Sequence, residues 1–120
     1  MRTAIIVFGH GSSVESANDA VRAVAADAAR QGAWERYETA FLDFPPQLGE
    51  AVAKLAAEGY GEILVVPYFL TLGIHLKRDL PKLVEEFSAK YNVAMRVAPP
   101  LDGHPALSTI LAGRAKELQG

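Results

Sequence analysis

The chain has no cysteine among its 120 residues. This absence excludes disulfide bonds, thiolate-bound zinc sites and cysteine nucleophiles. A metal ion bound by this chain must be held by imidazole, carboxylate or carbonyl groups, which hold borderline cations less tightly than thiolates do. Any metal site is therefore expected to be a loose one.

The chain also lacks an excess of positive charge and a segment long enough to cross a bilayer. It has 12 lysines and arginines against 14 aspartates and glutamates, so no basic stripe is present to neutralise nucleic-acid phosphates. The longest nearly unbroken apolar run, Ile63 to Leu76, is too short for a membrane span and is interrupted by Pro67 and Gly73. A strand pattern begins almost at the N-terminus, which leaves no room for a signal peptide. We therefore expect a cytoplasmic protein whose partner is neither nucleic acid nor a membrane.

The composition is that of an ordinary globular protein, with 50% apolar and 22% charged residues. A length of 120 residues suits one domain, which should bury about two-thirds of its unfolded surface. We therefore expect a single domain that covers residues 1–120.

Strand and helix patterns alternate along the whole chain. Continuous β-branched and aromatic runs, typical of strands covered on both faces, predict four strands: Ala4–Phe8, Tyr37–Asp43, Glu62–Val66 and Val93–Ala98. Short connections between the units predict an α/β fold, with a four-stranded parallel sheet in the order 2-1-3-4 and helices on both faces. This is a flavodoxin-like winding cut short.

Helix signals follow each strand. The first helix is expected to open at a capping box, Ser12-x-x-Glu15 or Ser16-x-x-Asp19, and to run to about Gln31 with Gly32 as its stop. The second should start at Pro45-Pro46 and end near Gly59, and the third should start near Asp79 so that Pro81 lies in its first turn. The fourth presents an apolar side made of Leu107, Ile110, Leu111 and Leu118.

Two of the three histidines follow the two most apolar strands. His10 comes directly after the first strand, and His75 lies in the loop after the third. These strands are neighbours at the point where the winding reverses, and ligands bind at that edge of α/β sheets. Both imidazoles should therefore face one crevice, where they can bind a divalent metal ion or accept protons near neutral pH. His104, in Gly103-His104-Pro105, is more typical of a helix start.

Other readings of the first loop, Gly9 to Ser13, have less support. It lacks the third glycine of a dinucleotide fingerprint, and neither a GxxxxGK[ST] loop nor a G-x-S-x-G elbow occurs in the chain. A phosphate-binding loop stays open as an alternative. The glycines alone fit a tight strand-to-helix turn, but this does not explain the imidazole between them.

Several further residues surround the expected crevice. Asp43 follows the second strand, where it could bind a metal, orient a histidine or simply serve as a loop residue. Lys77 and Arg78 suit an anionic substrate but also fit solvated charges paired with nearby acids. The third loop is unusually apolar, as is typical of a ligand cover or a subunit interface.

These motifs resemble those of the sirohydrochlorin cobaltochelatase family, in its short single-domain form. The resemblance rests on Gly9-His10-Gly11-Ser12, on Ala40–Asp43, on the long segment Val65–Pro81 and on Ala98–Pro105, and it covers nearly the whole chain. It implies a chelatase-type fold and ATP-independent insertion of Co²⁺, or in relatives Fe²⁺ or Ni²⁺, into sirohydrochlorin. One departure is Asp43, because the family usually has Glu at this position.

The resemblance also implies roles for individual residues. His10 and His75 match the pair that handles the metal, and they are expected to act as catalytic residues and metal ligands, with Asp43 as an auxiliary carboxylate. Substrate contacts are expected from Ser12, Phe69, Leu70, Thr71, Lys77 and Arg78. Two imidazoles form an incomplete site that can release a metal ion, and they can also take the two pyrrole protons.

Size leads to one more expectation. A domain of this length offers one wall of a cleft, whereas a flat macrocycle needs two, so we expect a homodimer. The alternative function is a non-catalytic metal-binding or metal-delivery module on the same fold.

Overall fold

The computed structural model describes residues 1–119, so Gly120, the last residue of the expected domain, lies outside the described part. Four strands and four helices alternate along it. The strands are β1 (Thr3–Gly9), β2 (Tyr37–Phe41), β3 (Glu62–Pro67) and β4 (Ala94–Val97). The helices are α1 (Glu15–Gly32), α2 (Leu48–Ala57), α3 (Ile74–Tyr91) and α4 (Ala106–Gln119).

The four strands form one parallel sheet in the order β2-β1-β3-β4, which confirms the predicted topology. β1 pairs with β2 from Ile5↔Tyr37 to Gly9↔Phe41, and with β3 from Thr3↔Glu62 to Phe8↔Pro67. The chain therefore reverses its winding between β1 and β3. Both strands deliver their following residues to the same edge of the sheet, which we call the carboxyl edge.

The main core lies between the sheet and the helices α2 and α3. Ile6 and Phe8 of β1 and Val65 of β3 point to this face and are buried. They pack with buried side chains of the two helices, among them Val52 and Leu80. The opposite face carries α1, whose small residues Ala25 and Ala29 are buried. The α4 helix has no buried residue.

The third helix starts earlier than predicted. It begins at Ile74, five residues before Asp79, and Pro81 lies inside it. The first turn forms ahead of the proline, because the Lys77 N–H donates to the Gly73 carbonyl at 2.8 Å. The proline cannot donate to the carbonyl four residues earlier. Packing of the apolar face that includes Leu80 offsets that loss.

The starts of the first two helices also differ from the expectation. Val14, the N-cap of α1, makes no side-chain cap, so neither predicted capping box forms. Instead the buried Asn18 amide holds the loop: its Oδ1 accepts from the Ser12 N–H and its Nδ2 donates to the Ser12 carbonyl, both at 2.9 Å. α2 starts at Leu48 rather than at the proline pair, behind a capping box of Gln47 and Glu50.

Two further boundaries need correction. β2 ends at Phe41, so Asp43 lies beyond the strand rather than at its end. α1 includes Gly32, and the left-handed residue that ends it is Ala33. None of the helices within residues 1–119 is both long and apolar enough to span a membrane.

Candidate functional site

Backbone pairing beyond the strands holds His10 and Asp43 side by side. The Leu42 N–H donates to the Gly9 carbonyl at 2.9 Å, and the Asp43 N–H donates to the His10 carbonyl at 3.1 Å. The β1–β2 ladder thus continues for two residues past Phe41. Gly11 follows with φ of 89°, a left-handed conformation that favours glycine and turns the chain towards α1.

The contacts of the His10 ring assign its proton. Nδ1 lies 3.3 Å from the Gly11 carbonyl oxygen and 3.4 Å from Oδ2 of Asp43. Both neighbours only accept hydrogen bonds, so Nδ1 carries the proton and Nε2 keeps a free lone pair. The edge of Phe69 packs against the ring, with 6.3 Å between the ring centroids. His10 is therefore oriented with one nitrogen available for a metal ion or a proton.

His75 lies in the first turn of α3 rather than in a loop, which corrects the predicted placement. Its Nδ1 is 3.4 Å from a guanidinium nitrogen of Arg78. A guanidinium only donates, so Nδ1 accepts, and the proton of the neutral ring belongs on Nε2. The two histidines thus carry opposite tautomers in this arrangement.

Asp79 stands one helical turn after His75. Arg78 donates to its carboxylate through Nε at 2.9 Å. This hydrogen bond, more than the nearby charges, lowers the pKa of Asp79 below its usual value. Asp79 is therefore a carboxylate over the whole neutral range.

One open cavity joins the two histidines. Its volume is about 670 Å³, and it lies at the carboxyl edge. Its polar lining is His10, Thr71, His75, Asp79 and Lys82, and the rest is apolar or glycine: Leu42, Phe69, Gly73, Ile74, Leu76 and Leu83. The structure thus brings His10 and His75 to one crevice, as the topology predicted, with Phe69 and Thr71 beside them.

Four other predicted site residues do not line this cavity. Ser12 shapes the loop before α1, where its hydroxyl accepts from the Val14 N–H at 3.0 Å. Leu70 is exposed, and Lys77 lines a separate groove between α3 and β4. Arg78 pairs with Asp79. Each of these predicted roles stays a prediction.

Asp43 and His104 have distinct positions. Asp43 does not line the cavity, but its Oδ2 lies 3.4 Å from Nδ1 of His10, so a role in orienting that ring stays a prediction. His104 lies after β4, and its Nδ1 accepts from the Ala106 N–H at 3.0 Å. This is the helix-start position that the sequence indicated.

The sequence reasoning missed Asp79 and Lys82. His75 and Asp79 are four residues apart, a spacing that places two side chains on one face of a helix. That signal was hidden because the helix was expected to begin only at Asp79. Lys82 adds a cation to the cavity lining, seven residues after His75.

The described residues contain no group of three or more histidines and acidic residues close enough to hold a metal ion together. Instead, His10 faces one carboxylate, Asp43, while His75 precedes another, Asp79, by one turn. One imidazole with one carboxylate does not fill the coordination shell of a divalent ion, so an ion held by either pair would keep open coordination positions. Such a site is suited to exchange rather than to storage.

Comparison with known sequences assigns the family. The CbiX family model matches residues 4–118. A sirohydrochlorin cobaltochelatase of Sulfurisphaera tokodaii is 32% identical over 115 residues, which cover 95% of this chain and 92% of that protein. One of Methanopyrus kandleri is 38% identical over 82 residues, or 68% of this chain. The match spans only 57% of the Methanopyrus protein.

Solved structures share the fold. A CbiX protein of cobalamin biosynthesis from Marinobacter aquaeolei VT8 superimposes with a TM-score of 0.86 and 28% identity, over 98% of this chain and 97% of that one. The sirohydrochlorin chelatase SirB of Bacillus subtilis subspecies spizizenii, in complex with cobalt, gives a TM-score of 0.74 and 25% identity. That match covers 83% of this chain and 44% of SirB. The chain therefore belongs to the CbiX family.

Proposed function

We propose that this chain inserts a divalent metal ion into sirohydrochlorin, with Co²⁺ as the main substrate and Fe²⁺ or Ni²⁺ as alternatives. The observation that carries the proposal is the shared cavity: two histidines, each with a carboxylate nearby, open onto one largely apolar crevice. The relatives named as cobaltochelatases and the cobalt complex of SirB support the same reaction. Cobalt would place the reaction in cobalamin synthesis, and iron would place it in siroheme synthesis.

The reaction exchanges one divalent cation for two pyrrole protons. His10 offers Nε2 to the metal ion, while its Nδ1 proton faces Asp43. A single imidazole and its neighbours leave most coordination positions of the metal ion free. The pyrrole nitrogens can therefore enter these positions one at a time and then displace the imidazole. The released imidazole then accepts one of the protons, and His75 or a carboxylate accepts the other.

The apolar lining suits the flat face of a macrocycle. Phe69 stands beside His10 and also packs on Phe8, at 5.8 Å between ring centroids, so its position is fixed. Lys82 on the cavity wall suits the carboxylates at the rim of the substrate. We keep Lys77 and Arg78 as further candidates, although they face other groups here.

Neither ATP nor another nucleotide takes part in this proposal. The chain has neither a GxxxxGK[ST] loop nor a complete dinucleotide fingerprint, and replacement of two protons by a chelated cation needs no coupled hydrolysis. We further propose a cytoplasmic homodimer, in which a second copy supplies the wall that one open cavity lacks.

The test is metal insertion followed by visible spectroscopy. Sirohydrochlorin and Co²⁺ are mixed with the wild type, with His10→Ala and with His75→Ala. Each substitution should lower kcat/KM by about 10²-fold or more, because a ligand and a proton acceptor are lost. His104→Asn is the matched control, since asparagine also caps helices, and its rate should stay within about twofold of the wild type.

Two results would contradict the proposal. An insertion rate that never exceeds the spontaneous one would show that the chain is not a chelatase. If calorimetry still detected Co²⁺ binding that depends on His10 and His75, the metal-delivery module would be the better interpretation. Equal rates for His10→Ala and the wild type would remove His10 from the mechanism.

A further inference from the structure

The Arg78 guanidinium lies between His75 and Asp79, near the start of α3. Its Nε donates to Oδ1 of Asp79 at 2.9 Å, and its Nη2 lies 3.4 Å from Oδ2 of the same carboxylate. The same Nη2 is also 3.4 Å from Nδ1 of His75. The carboxylate therefore holds the guanidinium beside the imidazole nitrogen that keeps its lone pair.

A metal ion on His75 is incompatible with this contact, whichever ring nitrogen binds the ion. An ion on Nδ1 needs the lone pair that faces Arg78, and it would lie about 2 Å from that nitrogen, in the space between the two side chains. An ion on Nε2 moves the ring proton to Nδ1, where it would face a guanidinium that also only donates hydrogen bonds. In both cases the Arg78 side chain has to leave His75 for the ion to bind.

Charge acts in the same direction. A guanidinium is always protonated, so it repels a divalent cation. The Asp79 carboxylate is already paired with Arg78, and its charge is therefore only partly available to the ion. His10 differs, because its Nδ1 faces the Asp43 carboxylate and a backbone carbonyl. An ion on His75 thus meets a cationic competitor that an ion on His10 does not meet.

The contact between Arg78 and His75 is weak enough to be displaced. A distance of 3.4 Å is long for a hydrogen bond. The Arg78 side chain is 58% exposed, and exposed ion pairs such as the one with Asp79 exchange at little cost. Since Asp79 keeps the guanidinium close to His75, the contact can form again when an ion departs.

We propose that Arg78 competes with the metal ion for His75 and thereby speeds the transfer of the ion to the macrocycle. Arg78 does not line the cavity, so it acts through His75 as a positioning residue. An interaction that stabilises the bound ion before transfer adds to the barrier of the transfer step. A competitor at His75 weakens that early binding. The inference rests on the metal insertion proposed above.

The first test is calorimetry with Co²⁺ alone, without the macrocycle. Methionine has a helix propensity close to that of arginine but no donor and no charge, so Arg78→Met removes only the competitor. The dissociation constant for Co²⁺ should fall about tenfold, because His75 and Asp79 become free to bind. A loss of affinity, or no change, would overturn the competition.

The matched control for this test is Arg30→Met. Arg30 is another exposed arginine paired with an aspartate, Asp27, but it lies in the last turn of α1, away from the cavity. Its replacement changes the net charge by the same amount, and the dissociation constant should stay within about twofold of the wild type. An equal gain of affinity in both variants would reduce the effect of Arg78 to general charge.

A double variant shows whether the gain passes through His75. On the background of His75→Ala, the change Arg78→Met should alter the dissociation constant by about threefold or less, since the ligand for which Arg78 competes is gone. A gain that stays tenfold without His75 would contradict the proposal.

Steady-state kinetics separate competition from two other roles of Arg78. For Arg78→Met we expect KM for Co²⁺ and kcat to fall together, with kcat lower by about fivefold, because the ion is held more tightly before transfer. Direct contact with substrate carboxylates predicts a higher KM for sirohydrochlorin and unchanged Co²⁺ affinity instead. A purely structural role predicts a lower kcat with a higher KM for Co²⁺. Either of these patterns would overturn the competition.

A spectroscopic measurement tests the ground state without metal or macrocycle. In ¹⁵N NMR of the wild type, at a pH where both rings are neutral, Nδ1 of His75 should be unprotonated and Nδ1 of His10 protonated. Arg78→Met should shift the tautomer balance of His75 and leave that of His10 unchanged. A His75 ring that carries its proton on Nδ1 in the wild type would overturn the contact on which the proposal rests.

The failure of this proposal is distinguishable from the failure of the proposed function. If the wild type inserts Co²⁺ faster than the spontaneous reaction but Arg78→Met gains no affinity, the competition is wrong and the chelatase stands. If no variant exceeds the spontaneous rate, the chelatase and the faster transfer are both wrong, even where calorimetry shows competition at His75.

Discussion

At the scale of single residues, we propose that Asp43 determines which nitrogen of His10 is free. Its carboxylate and the Gly11 carbonyl both lie near Nδ1, so Nε2 is left for the metal ion. Carboxylates in this position also make the ring a stronger ligand. The short Asp43 side chain reaches the ring at 3.4 Å.

Asp43→Asn tests this role. The amide keeps the shape but loses the charge, so we expect Co²⁺ affinity measured by calorimetry to fall about 10- to 100-fold. Asp43→Glu keeps the carboxylate and should stay within about threefold of the wild type. If Asp43→Asn bound Co²⁺ as well as the wild type, Asp43 would be a loop residue only.

At the scale of the elements, the sequence predicted the order and direction of the strands better than the ends of the helices. Apolar runs at strand length are a property of the sequence itself, and the parallel order follows from short right-handed connections. The start of α3 depends on a balance that no local motif shows. Pro81 is tolerated inside the helix because buried neighbours such as Leu80 hold the apolar face in place.

The sequence also predicted only part of the candidate site. The topology was sufficient to bring His10 and His75 to one cavity. Asp79 was missed because its spacing from His75 has meaning only once both are known to lie on one helix. The apolar side of α4 was recognised, but nothing in a single sequence shows that this helix stands away from its own sheet.

The turn between β1 and α1 leads to a prediction about stability. Gly11 has φ of 89°, and an added Cβ would lie 2.9 Å from the Phe44 ring and 3.0 Å from Cβ of Phe41. Gly11→Ala should therefore lower the free energy of unfolding by about 1–3 kcal/mol. It should also reduce metal insertion, because His10 precedes the strained turn. Urea unfolding and the spectroscopic assay measure the two effects.

The control for this change is Gly113→Ala, in the middle of α4. A Cβ there meets nothing within 4 Å, and alanine is the better helix former. We expect Gly113→Ala to raise the free energy of unfolding slightly, by about 0.5–1 kcal/mol. An equal loss of stability in both variants would show that the geometry of the turn is not the cause.

At the scale of the whole molecule, the two ends of the sheet differ. The carboxyl edge is open and carries the cavity, whereas charged side chains at the opposite edge form ion pairs and hydrogen bonds between elements. Arg36, just before β2, binds Glu58 after α2 through Nε at 2.9 Å and also pairs with Glu38 of β2. Arg2, just before β1, donates to the Tyr60 hydroxyl at 2.8 Å.

The ion pair between Arg36 and Glu58 predicts how stability depends on pH. The hydrogen bond from Arg36 lowers the pKa of Glu58 below its usual value. A carboxyl group whose pKa is lower in the folded state stabilises the fold above its unfolded pKa, about 4.3. That contribution is lost as the pH falls through the lower folded pKa. Glu58→Gln should therefore lower Tm at pH 7 by up to about 4 °C, and the difference from the wild type should shrink below about pH 4 and vanish at lower pH.

Glu86→Gln, at an exposed position on α3, is the control and should leave Tm unchanged. A Tm difference for Glu58→Gln that stayed constant down to pH 2 would show that Arg36 does not act through the charge of Glu58.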